Sequence, residues 1–301
     1  RKDVHENSHK LIAANYPVNK LIHGHTSGTT GTPLSFYWDK NTCVYTNAVD
    51  WRQKNWAGIE YGDPIALFLG RTIVPPDRER PPFWQKDHIH NQLWMSSFHM
   101  NEKNLPYYFD KLSSFKPLAV EGYPSTLYIL ARYLLKNNTT FPVKAAFTSS
   151  ETLLPIQREV IEKSFKCKIY DFLGMAERVI FATECEHHSG HHLNFEYALN
   201  EVVDGDNNPV EQGQQGYLVG TSLQNFAMPF IRYKTSDVSR IRTIGCPCGR
   251  AMQLIDEVTT KAEDIVITPE GKMISSSVLT HPFKPLENIR ESQIIQEDVH
   301  N

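Results

Sequence analysis

The residues best suited to chemistry in this 301-residue chain fall into three clusters. The first is His25-Thr26-Ser27-Gly28-Thr29-Thr30-Gly31-Thr32-Pro33, set between the apolar pair Leu21-Ile22 and the run Leu34-Ser35-Phe36-Tyr37-Trp38. Its glycines permit positive φ and close approach to a ligand. Its hydroxyls and backbone N–H groups can form a nest of donors for phosphate oxygens. A plain turn between two strands is the alternative, and no Walker pattern G-x-x-x-x-G-K-[ST] is present. The second cluster comprises two acidic residues. Glu177, in Asp171-Phe172-Leu173-Gly174-Met175-Ala176-Glu177-Arg178, follows a predicted strand, where a carboxylate can reach a phosphate-held metal or simply face a helix dipole. Asp237, in Arg232-Tyr233-Lys234-Thr235-Ser236-Asp237, is a turn residue or an acceptor. The third is Cys185 and His192 with Cys246-Pro247-Cys248-Gly249, a Cys3His set suited to tetrahedral zinc. Buried thiols beside a histidine-rich turn are the alternative, and His191 competes with His192 as ligand. Four protein ligands would make the zinc structural.

These residues need a scaffold. Apolar positions Val44, Ala48, Trp51 and Trp56 predict a helix over 41–58. Runs at 65–70, 118–123, 143–148 and 168–173 predict buried parallel strands. Helices are predicted at 105–115, at 126–136 with Ser125 as N-cap, and at 153–165 with Pro155 in the first turn. Strands alternating with helices indicate a parallel α/β sheet. The segment 72–84, with Pro75, Pro76, Pro81 and Pro82, is expected to be irregular, a loop over a cleft. Beyond about residue 190, short runs at 201–203, 216–221 and 230–233 separated by Gly, Asp, Asn and Pro predict a small antiparallel sheet or barrel.

Composition excludes several classes. A net charge of −3 with scattered Lys and Arg argues for neither nucleic acid nor an anionic membrane as partner. No apolar run reaches the roughly 20 residues of a membrane span. Five cysteines in a chain this long do not make a disulfide scaffold, and Cys43 and Cys167 are expected in the core. A cytoplasmic protein is expected. The chain opens on Arg1 and ends at Asn301 just after a strand-like Ser292-Gln293-Ile294-Ile295, which suggests a piece lacking both ends.

Taken in order, 26–33, Tyr123-Pro124, Ser149-Ser150-Glu151, 173–177 and 233–237 resemble the adenylate-forming superfamily. With Cys246-Pro247-Cys248-Gly249-Arg250 they are similar to its phenylacetate–CoA ligase branch, and most to CapK-like capsular polysaccharide proteins and coenzyme F390 synthetase relatives. The resemblance implies an α/β AMP-binding core over 1–190, a small β subdomain over 191–262, and over 263–301 a hinge at Asp264 and the start of a swinging C-terminal domain. It further implies ATP-dependent activation of a carboxylic acid through an acyl-adenylate, with transfer to CoA or another thiol. Thr26, Ser27, Gly28, Thr29, Thr30 and Gly31 would hold phosphates, with Thr30 and Glu177 catalytic and Glu177 on Mg²⁺. Ser150 and Glu151 would line the adenine pocket, and Asp237 and Lys261 would hold the ribose. Tyr123 and Phe147 would wall the acyl pocket. Thr32 stands where the family has Lys, Leu173 where it has Tyr, and Lys261 where it has Arg. The rival reading is a nucleotide-binding assembly protein of capsule or exopolysaccharide biosynthesis without ligase turnover. A homodimer is compatible with either.

Overall fold

A computed structural model describes residues 2–25, 34–258, 260–261, 265–267, 273–275 and 295–298. Thr26, Ser27, Gly28, Thr29, Thr30, Gly31, Thr32 and Asp264 lie outside the described residues, as does most of 263–301.

The elements run α1 (Lys2–Asn7), β1 (Ile22–His25), β2 (Ser35–Trp38), α2 (Lys40–Trp56), β3 (Ile65–Phe68), β4 (Trp84–Asp87), β5 (Gln92–Met95), α3 (Leu105–Phe115), β6 (Ala119–Gly122), α4 (Pro124–Lys136), β7 (Ala145–Ser149), α5 (Pro155–Phe165), β8 (Lys168–Gly174), β9 (Phe181–Glu184), β10 (His191–Leu193), β11 (Ala198–Val203), β12 (Gly216–Ser222), β13 (Tyr233–Ser239), β14 (Leu254–Ile255), β15 (Thr260–Lys261), β16 (Ile265–Ile267) and β17 (Met273–Ser275). A nine-stranded sheet has the order β14-β10-β9-β8-β7-β6-β3-β5-β4, and a four-stranded sheet the order β11-β12-β13-β15. Strands β8, β7, β6, β3 and β5 are parallel, and antiparallel strands extend both edges. The small sheet is antiparallel throughout.

Alternation along the parallel strands explains the layers. Ala66, Phe68, Val120, Ala146 and Ile169 pack with residues of α3, α4 and α5, including Leu112, Leu130 and Phe165. Ile65, Leu67, Ala119, Ala145 and Phe147 form a separate cluster with Ala57 and Ile59, just beyond the end of α2. Helix α2 is capped by Asp39, which accepts from Thr42 N and Oγ1, each at 2.8 Å. Its buried face differs from the stripe read in the sequence: Val44 is 65% exposed, while Val49, Gln53 and Lys54 are buried. Polar partners explain this, since Gln53 Nε2 donates to Asp171 O at 2.8 Å.

Lys54 is the costliest of these to bury. Its side chain is 4% exposed, with Nζ 2.6 Å from Asp50 Oδ1 and 3.1 Å from Glu121 Oε2. Burial opposes its charge, but the two carboxylates more than offset that and hold its pKa above the usual lysine value. Removing one partner of a buried pair leaves a charge uncompensated, at a cost of about 3–5 kcal/mol. Lys54→Met is therefore expected to lower stability by about 3 kcal/mol in urea denaturation, and adding Glu121→Gln to recover part of the loss. A single-variant cost below about 1 kcal/mol would contradict this role.

The structure corrects four local expectations. Helix α4 starts at Pro124 with Tyr123 as N-cap, because Pro suits the first helical position, so Ser125 lies inside the first turn. The strand expected over 230–233 begins only at Tyr233. Strands β10 and β14 belong to the large sheet, so the sheets do not divide at residue 190. Cys43 is only partly buried rather than core, and Cys167 packs against the edge of the main core without being fully buried. Burial nevertheless pushes the Cys167 thiol up to about 12. Cys167 is thus expected to resist iodoacetamide at about pH 8, where only thiolates react quickly. Mass spectrometry of the alkylated native protein would check this, and rapid labelling would contradict it.

Candidate functional site

The parallel strands end in one row. Phe68 of β3, Gly122 of β6, Thr148 of β7 and Asp171 of β8 are successive lateral neighbours. The segments that follow carry Tyr123, Ser150, Glu151 and Glu177. Open parallel sheets bind ligands beyond these carboxyl ends. The half-buried Tyr123 ring lies against Gly70 after β3, where an added Cβ would come within 2.7 Å of Cε2 and push the ring aside. Ser150 and Arg178 hold φ of +69° and +59°, a conformation L-residues adopt rarely and one that concentrates at functional turns.

Two expected site residues have other employment. The Glu151 carboxylate accepts from Ser125 N at 3.0 Å and Ser125 Oγ at 2.9 Å, clamping the first turn of α4 beside Tyr123. Phe147, expected to wall the acyl pocket, is fully buried in the core with Ile65, Leu67 and Tyr170. Its place on the sheet face beside Lys54, whose Nζ is 5.1 Å from the ring, explains the difference.

Glu177 is half-buried in the turn between β8 and β9, and its Oε1 accepts from Tyr233 Oη at 3.0 Å. The small sheet therefore meets the large one at this carboxylate. Asp237 lies farther along β13, opposite Lys261 of β15 in the register. Between Lys234 and Val238, β13 bulges: Thr235, Ser236 and Asp237 stand opposite Leu218 alone. Thr235 pins the bulge by donating to Leu218 O at 2.8 Å and accepting from Asp237 N at 3.1 Å. Bulges re-aim side chains and recur beside active sites.

Cys185, His192, Cys246 and Cys248 come together as the spacing suggested, with four ligand atoms within 4.8 Å of one another. Cys185 Sγ is 3.5 Å from Cys246 Sγ, and Cys248 Sγ is 3.5 Å from His192 Nε2. Zn–S bonds of about 2.3 Å and Zn–N of about 2.0 Å in a tetrahedron put ligand atoms about 3.5–3.8 Å apart, so the set fits zinc. The cysteines are free thiols, and His187 N and Arg250 N donate to Cys185 Sγ and Cys248 Sγ, each at 3.5 Å. Without a cation, burial and the neighbouring sulfurs push the Cys185 thiol up to about 12, as expected where adjacent thiolates cannot all ionise. His191 is not a fifth candidate: its Nε2 pairs with Asp171 Oδ2 at 3.0 Å, and Asp171 also accepts from Thr148 Oγ1 at 2.5 Å. Trp56, at the end of α2, covers the cluster, with its ring 5.9 Å from that of His192 and 4.2 Å from the Arg250 guanidinium. No described helix is long and apolar enough to cross a membrane.

No protein-family model matches the chain. Protein CapK of Staphylococcus aureus is 28% identical over 314 residues, a match covering all of this chain and 66% of CapK. The phenylacetate-coenzyme A ligase of Pseudomonas putida is 31% identical over 266 residues, covering 83% of this chain and 57% of the ligase. That of Thermus thermophilus is 27% identical over 163 residues, covering 52% and 37%. The chain thus spans less than two thirds of these relatives. Among solved structures, 2-hydroxyisobutyryl-CoA ligase in the postadenylation state with R3-HIB-AMP superimposes with a TM-score of 0.72 at 21% identity, over 92% of this chain and 60% of that one. Its open conformation with 2-HIB-AMP and CoA gives 0.72 at 20%, over 95% and 68%. The chain is a relative of CapK and the phenylacetate-coenzyme A ligases, built on the fold of the adenylate-forming CoA ligases.

Proposed function

We propose that the full-length protein activates a carboxylic acid with ATP and transfers the acyl group to a thiol, CoA foremost. A carboxylate oxygen attacks the α-phosphorus, the bond to the β-phosphate bridging oxygen breaks, and pyrophosphate leaves. The thiolate then attacks the acyl carbonyl and AMP departs. The row of strand ends bearing Tyr123, Ser150 and Glu177, joined to β13 through the Glu177–Tyr233 hydrogen bond, carries this reading. The ligases among the relatives and fold neighbours support it.

In this scheme Thr26, Ser27, Gly28, Thr29, Thr30 and Gly31 hold the β- and γ-phosphates. Asp237 and Lys261 hold the ribose, Ser150 and the clamped Glu151 shape the adenine side, and Tyr123 walls the acyl group. Glu177 binds Mg²⁺, which when bound neutralises phosphate charge. Catalysis then rests on positioning and charge stabilisation. Cys185, His192, Cys246 and Cys248 hold a structural zinc. ATP and CoA place the work in the cytoplasm.

A second reading, a capsule-assembly protein that binds nucleotide without turnover, draws on the CapK match over the whole chain and on Thr32, Leu173 and Lys261. Product analysis of the full-length protein with Mg·ATP, CoA and a panel of aryl, fatty and hydroxy acids separates the two. Acid-dependent AMP, pyrophosphate and thioester are expected from the ligase. Nucleotide binding without these products would favour the second reading.

A further inference from the structure

The turn bearing Glu177 is seated on the small sheet from below. At Gly220 of β12 an added Cβ would come within 2.2 Å of Val179 O, so that strand packs directly on the turn's backbone. Asn200 Nδ2 of β11 donates to the same carbonyl at 3.0 Å. Tyr233, the register partner of Gly220, completes the seat by donating to Glu177 Oε1 at 3.0 Å. Its side chain has little freedom. Tyr233 is 7% exposed and packs in a cluster with Phe36, Val179, Ile180 and Phe230, with its ring 5.0 Å from that of Phe230. On the other side, the Arg178 guanidinium lies 4.6 Å over the ring of Trp38, the last residue of β2.

We propose that Tyr233 is a positioning residue for the metal–nucleotide site. Its phenol holds one oxygen of the Glu177 carboxylate and leaves the other directed at Mg²⁺ bound to ATP. The proposal rests on the reading of Glu177 as the metal ligand. A hydrogen bond from a rigid neighbour fixes a ligating carboxylate before the metal arrives, and loss of such outer partners costs about 10–100-fold in metal affinity. The small sheet thereby sets the geometry of a group carried by the large one.

The test is calorimetric titration of the full-length protein with ATP at varied Mg²⁺, for wild type, Tyr233→Phe, Glu177→Gln and the double variant. Phenylalanine keeps the buried ring and removes only the hydroxyl. Tyr233→Phe is expected to weaken the Mg²⁺-dependent part of ATP binding about tenfold, at the low end of that range, and to leave Mg²⁺-free ATP binding unchanged. In the Glu177→Gln background the same change is expected to add little, because coupled residues are not additive. Equal losses in both backgrounds, or Tyr233→Phe matching wild type while Glu177→Gln loses the Mg²⁺ response, would overturn the inference alone. A Glu177→Gln variant with the full Mg²⁺ response would overturn the reading of Glu177 and the inference with it.

Discussion

Glu177→Ala is expected to abolish acid-dependent pyrophosphate release by the full-length protein while the fold survives. A carboxylate that holds a metal against developing phosphate charge acts mainly in the transition state, and loss of such a group costs on the order of 10²–10³ in kcat. The structural cost is small, because the half-buried side chain makes one hydrogen bond, to Tyr233, among the described residues. Loss of that hydrogen bond costs about 1 kcal/mol. The turn keeps its seat through Gly220 and Asn200, which touch the backbone of Val179 rather than the carboxylate. A pyrophosphate assay paired with a denaturation curve separates the two effects. Unchanged release would remove Glu177 from the metal, whereas a collapsed fold would make the turn structural.

Stripping the metal from the Cys3His cluster is the second large effect. Purified protein is expected to carry about one zinc per chain, and Cys248→Ser to lose it. Structural zinc supplies folding free energy of about 10 kcal/mol or more in small zinc domains. Here the cluster ties together β10, the segment after β9 that holds Cys185, and the connection from β13 to β14 that holds Cys246 and Cys248. A chelator is therefore expected to open that edge first, seen as faster amide exchange across 185–193 and 240–255, and to lower the melting temperature by several degrees. Metal analysis near zero, with no effect of chelator, would contradict the assignment.

The parts of the site legible in the sequence were those carried by buried parallel strands. Their apolar runs mark the strands, and the segment that closes each run marks its carboxyl end, so the position of Tyr123, Ser150 and Glu177 at or just beyond those ends could be read from the sequence. The cysteine spacing was legible because few other arrangements use Cys-x-Cys beside a distant Cys and His. What failed were mainly positions whose burial is decided by a partner far along the chain and by no local spacing. His191 and His192 suggested a loop, yet Asp171 and the thiol cluster bury them in a strand. The stripe of α2 was misread for the same reason: Glu121, far along the chain, draws Lys54 into the buried face while Val44 stays exposed. Phe147 suggested a pocket wall because strand alternation does not say which face a helix covers. Tyr233 looked like one residue of a ribose motif, and only the packing of β12 on Val179 makes it a neighbour of Glu177.

Adenylate formation is the centre of the account, and exchange of labelled pyrophosphate into ATP isolates it from thiol transfer. The full-length protein, given Mg·ATP and an acid from the panel but no thiol, is expected to exchange label only when the acid is present. Exchange with labelled phosphate instead, or no pyrophosphate exchange with any acid while Mg·ATP binds, would contradict the account.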